Sequence, residues 1–337
     1  MVTIIGGGIA GTVLAGALAS RDTSGRVSLY EQQPKGPGSG GALLILDGRG
    51  HAGLTALGVA ERDLHDASHP LTGLSYANSV GRTGQMPSSG HRFWLRRDLM
   101  EILTAFAANS GAELHYERPI TDVTTVDSRT WTVHRNGETT TIADDLIIAA
   151  DGIDSVVRSR IEPNRSPEYG GEIVLYGMTT EPLELDTDDS VLHFFAEMGP
   201  AGPVSTLGHI WRPDTNRALW FIRIAREALP PSDIGIQSVD AWADAVLAAT
   251  PSNEALVRTF LEHTDIVHVS NARNLPLATA AEPTLAHSGG QHKRAPGILG
   301  RAHRFVTGCG FNVAAGHGDR PRTAEDEQRI AVLRRAS

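Results

Sequence analysis

The chain has 337 residues, 40% of them hydrophobic and 20% charged, the balance of a globular protein able to bury a sizeable core in one large or two smaller domains. A formal charge of −9 argues against non-specific nucleic-acid binding, and the single cysteine, Cys309, excludes an intrachain disulfide framework. No apolar run reaches the length of a membrane span and no basic leader precedes the first strand, so the expected home is the cytoplasm.

Residues 2–19 read VTIIGGGIAGTVLAGALA, a β-branched strand that turns on glycines directly into a helical pattern. Gly6, Gly8 and Gly11 keep the G-x-G-x-x-G spacing. The first glycine serves a tight turn, the second lets a pyrophosphate approach the backbone, and the third lets helix and strand pack closely. A phosphate there would meet the free N–H groups and positive dipole end of the helix. A second strand, RVSLY, ends at Glu31, twenty residues past Gly11, where a carboxylate is placed to accept from the ribose hydroxyls of an adenine dinucleotide.

A loop rich in Pro, Gly and Ser follows over 32–41, then a brief apolar run at 43–46. From Gly48 the pattern is helical with a glycine break. Residues 72–88 read as a hairpin turning near Gly81 and Arg82, and 92–95 leads into a helix over 97–108 with Leu99, Ile102, Leu103 and Phe106 at helical spacing. Strands are predicted at 112–116, 120–126, 131–135 and 139–142, with Asn136–Gly137 as a hairpin turn. The run LIIAA at 146–150 has the pattern of a fully buried parallel strand, and it ends at Asp151–Gly152.

Residues 170–275 change character. Strand patterns recur at 173–178, 190–196, 205–211 and 218–225, and alternation in the last puts Trp220, Ile222 and Ile224 on one face and Leu219, Phe221 and Arg223 on the other. Residues 238–249 and 254–261 are predicted helical. Trp211, Trp220, Phe194 and Phe195 are candidates for an aromatic pocket wall or, as large residues in strands more often are, plain core. From residue 284 onward, 54 residues hold nine Lys/Arg against four Asp/Glu, and within them the polar, basic and glycine-rich stretch 285–301 reads as poorly ordered. His65 and His69 lie four apart, but no third ligand accompanies them and no metal site is expected.

Three residues admit two readings each. Asp151 closes a strand at the carboxyl edge of an open sheet, where ligands bind; the alternative is that it caps the next helix. Arg158, about two turns into that helix, faces either an anionic phosphate or solvent. Arg96 opens the helix at 97–108, either free or paired with Asp98.

At IIAADGIDSVVR, residues 147–158, the pattern becomes specific. Together with the opening fingerprint it resembles the class A flavoprotein monooxygenases, the para-hydroxybenzoate hydroxylase-like family that includes the tetracycline-inactivating enzymes. Asp151, Gly152, Ser155 and Arg158 match that family's Asp-Gly motif position for position. Arg96, Asp98 and Leu99 match its Arg-x-Asp-Leu element, and Gly40–Gly41 followed by a strand is similar to the segment beside the flavin ring. The match departs at the third motif. Gly308, Gly310 and Asn312 fit the glycine part, but Arg301 stands where an aspartate is expected and the proline is absent.

The resemblance implies an α/β protein: a Rossmann-like FAD-binding domain with a parallel sheet and β-meander, assembled from 1–70, 92–165 and 276–320. A mostly antiparallel substrate domain, 71–91 and 166–275, is inserted, and 321–337 forms a poorly ordered tail. It implies bound FAD contacted by Gly6, Gly8, Gly11, Glu31, Gly41, Arg96, Asp151, Gly152, Arg158, Gly308, Gly310 and Asn312. Arg96 would supply positive charge near a flavin that becomes anionic when reduced. NAD(P)H would be the transient reductant, and O2 and an aromatic or polyketide-like small molecule the substrates. The alternatives are a catalytically impaired relic of the family with weak flavin binding, or a related flavin oxidoreductase.

Overall fold

The fold was described from a computed structural model covering residues 2–21, 26–36, 43–125, 131–135, 138–142, 146–212 and 215–276. The chain opens with β1 (Val2–Ile5), α1 (Ile9–Ala19) and β2 (Val27–Tyr30). Next come β3 (Leu43–Leu46), α2 (Gly48–Leu57), α3 (Glu61–Asp66) and β4 (His69–Pro70). The hairpin β5 (Gly73–Asn78) and β6 (Thr83–Pro87) precedes β7 (Arg92–Leu95) and α4 (Arg96–Asn109). Then follow β8 (Glu113–His115), β9 (Asp122–Thr125), β10 (Trp131–Arg135), β11 (Glu138–Ile142), β12 (Leu146–Ala149) and α5 (Val156–Ile161). The long strands are β13 (Glu168–Met178), β14 (Val191–Gly199), β15 (Gly202–Arg212) and β16 (Arg217–Ala225). The last elements are β17 (Gly235–Ser238), α6 (Ala243–Ala248), α7 (Glu254–Glu262) and β18 (Ile266–Asn274).

These build four sheets. A parallel sheet runs β12-β1-β2-β8, a meander β11-β10-β9, a large sheet β17-β18-β13-β16-β15-β14-β5-β6, and a small one β3-β7-β4. The large sheet is antiparallel except where β14 runs parallel to β5. This is the Rossmann-like parallel sheet plus inserted antiparallel sheet that the sequence implied.

Period-two alternation decides how the layers stack. Trp220, Ile222 and Ile224 join the core beneath α6 and α7, while Leu219 and Phe221 join the opposite core against the small sheet. In the small sheet, Phe93 and Leu95 face the large sheet, and Trp94 turns to the helices α1, α2 and α4. Those helices in turn cover the parallel sheet through Leu14, Ala15 and Ala107 against Ile4 and Leu29. Trp211 and Trp220 lie in the helix-backed core and Phe194 in the other, so the four aromatics proposed as one pocket wall do not share a face.

Other expectations shift. Strand β12 is not fully buried: β1 is its one described neighbour, and Leu146 remains 41% exposed at its start. The helix expected over 238–249 is a 3-10 turn at Val239–Ala241 followed by α6. Strands β17 and β18 were not anticipated, although IVHV at 266–269 alternates Val267 and Val269 into the core. No helix among the described residues is long and apolar enough to cross a membrane.

Candidate functional site

The carboxyl ends of β1, β2 and β12 open onto a groove of about 520 Å³. Gly6, Gly7, Gly8, Glu31, Arg96, Asp151 and Gly152 all line it, so residues far apart in sequence share one surface. The glycines divide the work as their spacing predicts. Gly6 has φ +102° and leaves no room for a side chain against the carbonyl of Ala150, and a Cβ at Gly11 would collide with the carbonyl oxygen of Gly6. A Cβ at Gly8 would meet no protein atom within 4 Å; it would project into open space on the groove side. Gly8 is also the N-cap of α1, with no side-chain cap and no acidic residue in the first turn, leaving the helix dipole uncompensated there.

Glu31 does more than end a strand. One carboxylate oxygen accepts from the N–H of Gly7 at 2.6 Å and the other from the N–H of Gln33 at 2.8 Å. It thus pins the glycine turn to the end of β2 while also lining the groove. Spacing alone pointed to ribose and missed this brace.

Across the groove, Asp151 lines the wall and also satisfies the start of the next helix. Its Oδ2 accepts from the N–H of Val156 at 2.8 Å, at the start of α5, while Ser155 is the formal N-cap, accepting from the N–H of Arg158 at 3.0 Å. Among the described residues Asp151 Oδ1 is buried with no hydrogen-bond partner. An orphaned buried acceptor is costly unless something supplies a donor, and the hydroxyl of a ligand sugar chain meets that need. Together with the open space at Gly8, the residues present fit a dinucleotide.

Arg158 is corrected. It lies in the first turn of α5, and its guanidinium curls back to donate to the carbonyls of Gly152 and Ile153. It does not line the groove; it holds the loop that does. Arg96 does line the groove, and the partner considered for it, Asp98, pairs instead with Arg97 at 3.1 Å. Gly41, Gly308, Gly310 and Asn312, with the altered stretch at 300–303, lie outside the described residues.

Sequence reading missed several lining residues: Met100 and Thr104 one and two turns beyond Arg96, Tyr116 and Arg118 after β8, and Asp154. Tyr116 and Arg118 arrive because β8 pairs in parallel with β2, where the backbone N–H of Arg118 donates to the carbonyl of Glu31 at 2.8 Å. No local motif announces them. Beyond the groove, cross-strand pairing sets Tyr176, Phe221, Gly208, Phe194 and Tyr76 in one row across five strands of the large sheet. Gly208 leaves space for the Phe221 ring, Phe194 meets that ring edge-on at 5.9 Å, and Tyr76 stacks on Phe194 at 5.0 Å.

A parallel sheet with a glycine turn, a brace carboxylate and an orphaned aspartate on one groove defines a dinucleotide-binding fold. The chain belongs to the FAD binding domain family, whose model matches residues 1–233. It is 27% identical over 297 residues to kynurenine 3-monooxygenase of Salinispora tropica, covering 82% of this chain and 63% of that one. The chain spans less than two thirds of the length of both Salinispora kynurenine 3-monooxygenases it matches. Among solved structures it is similar to CtdE in complex with FAD and a substrate, with TM-score 0.65, 15% identity and coverage of 81% of this chain and 69% of that one. A salicylate hydroxylase substrate complex gives TM-score 0.64 at 18% identity, covering 82% and 69%. At these identities the structural likeness is one of fold.

Proposed function

We propose that the chain is an FAD-dependent, NAD(P)H-using monooxygenase that hydroxylates an aromatic or polyketide-like small molecule. The observation that carries this reading is the single groove joining Gly8, Glu31 and Asp151, open at Gly8 and short of one donor at Asp151. In it FAD lies extended, its phosphates at the amino end of α1, its ribose near Glu31 and its ribitol chain toward Asp151. Arg96 supplies positive charge on the α4 side, and the 1–70, 92–165 and 276–320 segments form the cofactor domain. Bound flavin supplies the reaction with O2; the protein contributes placement, electrostatics and exclusion of water. At the ends of the aromatic row Tyr76 and Tyr176, only partly buried beside the buried Phe194 and Phe221, offer ring surface to a ring-bearing substrate within the 71–91 and 166–275 domain.

The absorbance spectrum of the purified chain tests this. A stoichiometric flavin band near about 450 nm, with NAD(P)H oxidation stimulated by members of an aromatic panel, supports the monooxygenase. Flavin without turnover supports the second reading, an impaired family member, which the arginine at position 301 favours. Protein that stays colourless with added FAD overturns the monooxygenase and supports the relic with weak flavin binding.

A further inference from the structure

Two features of the groove wall are not used by the cofactor contacts above. Asp154 lines the groove with its side chain 67% exposed, and Arg273 reaches it from β18 of the large sheet, 119 residues away. Arg273 donates from Nη1 to Oδ1 at 2.7 Å and from Nη2 to Oδ2 at 2.7 Å, the forked geometry that makes an arginine–carboxylate pair directional and strong. The same pair holds the Asp154 carboxyl below its usual range.

The charges on the wall explain why such a pair matters. Among the described residues the groove is lined by three carboxylates, Glu31, Asp151 and Asp154, against two guanidiniums, Arg96 and Arg118. Glu31 is stabilised by the N–H groups of Gly7 and Gln33, and Asp151 by the N–H of Val156. Among the described residues Asp154 accepts no backbone N–H, and its hydrogen bonds are the two from Arg273. Arg158, the other nearby cation, is committed to the carbonyls of Gly152 and Ile153. Stripped of Arg273, Asp154 would present a bare negative charge to a ligand that itself carries phosphates.

We infer that Arg273 is a positioning and charge-masking residue for the cofactor groove: it neutralises Asp154 so that the 151–156 wall accepts an anionic dinucleotide. Through it the large sheet, which offers the substrate wall, influences cofactor affinity. The inference rests on the reading of the groove as an FAD site.

FAD affinity of the full-length apoprotein, read by quenching of flavin fluorescence, separates this from a purely mechanical strap. Arg273→Gln is expected to weaken FAD binding about tenfold at low salt, the effect of one unscreened charge beside an anionic ligand in a partly solvated site. The loss should shrink at about 1 M salt, where the screening length is about 3 Å. Asp154→Asn should bind FAD at least as tightly as the parent, and Asp154→Asn combined with Arg273→Gln should bind like Asp154→Asn alone. Equal weakening in both single variants, without recovery in the pair, overturns charge masking, as does an Arg273→Gln variant that binds like the parent. Thermal melts of the same variants identify any loss that reflects unfolding, and the double variant still decides the question if Arg273→Gln alone is unstable. Failure of the parent chain to bind FAD overturns the functional reading and this inference with it; tight binding by parent and Arg273→Gln alike overturns the inference alone.

Discussion

The parallel sheet and the large sheet place opposite demands on their residues. The parallel sheet pairs its strands over three or four residues each, and its groove exists because backbone approaches backbone at Gly6 and Gly11 with no side chain between them. The large sheet has five strands of nine to eleven residues and buries a core on each face. One is a tight, polar fitting whose geometry fails when an atom is added. The other is a broad platform whose stability comes from area, and it tolerates change until a buried polar group is disturbed.

The sharpest way to break that contrast is Gly11→Ala. Its methyl collides with the Gly6 carbonyl, so about 3 kcal/mol or more of stability should be lost, with flavin retention, measured by denaturant unfolding and by absorbance of the purified protein. If Gly11→Ala folds and stays yellow, close helix–strand approach is not what shapes the groove.

The large sheet should respond to pH instead. His209 is buried against Phe260 and stacked on His193 at 4.9 Å, and burial pushes its pKa down to about 3. Below the ordinary histidine value of about 6.5 the unfolded chain takes up a proton that the folded one refuses, so stability falls as pH drops from about 6.5 toward 3. The slope from one such group approaches about 1.4 kcal/mol per pH unit. His51, which accepts from the Trp94 indole N–H and is shifted down to about 4, adds to it over a narrower window. Melting temperature against pH should therefore flatten in His209→Gln; an unchanged slope would remove His209 from the account.

Arg158→Leu tests the other wall. Two carbonyls of the 151–158 loop lose their donor, which costs about 1–3 kcal/mol and should loosen FAD, seen as a faster cofactor off-rate. The smallest stability effect belongs to Gly8→Ala. Gly8 has φ −70° and an added methyl meets no protein atom, so unfolding should change by less than about 1 kcal/mol. FAD affinity should nevertheless fall about tenfold, because the methyl occupies the space through which a phosphate reaches the helix amides. Gly8→Ala and Gly11→Ala thus differ by one turn of chain and separate binding from folding.

By itself the sequence determined the elements whose causes are local. The strand–turn–helix at Gly6–Gly11, the hairpin turning at Gly81, the opening of α4 at Arg96 and the alternation that splits Trp220 from Phe221 between two cores follow from residue spacing, because glycine geometry and strand period act within a few residues. Tertiary structure decided the rest. Asp151 has an orphaned oxygen, Arg158 turns inward, Glu31 braces Gly7, and Arg273 covers Asp154 because strands distant in sequence were brought into register. A side chain's partner across 24 or 119 residues depends on which backbone groups the sheets leave unpaired there, and no local pattern carries that information.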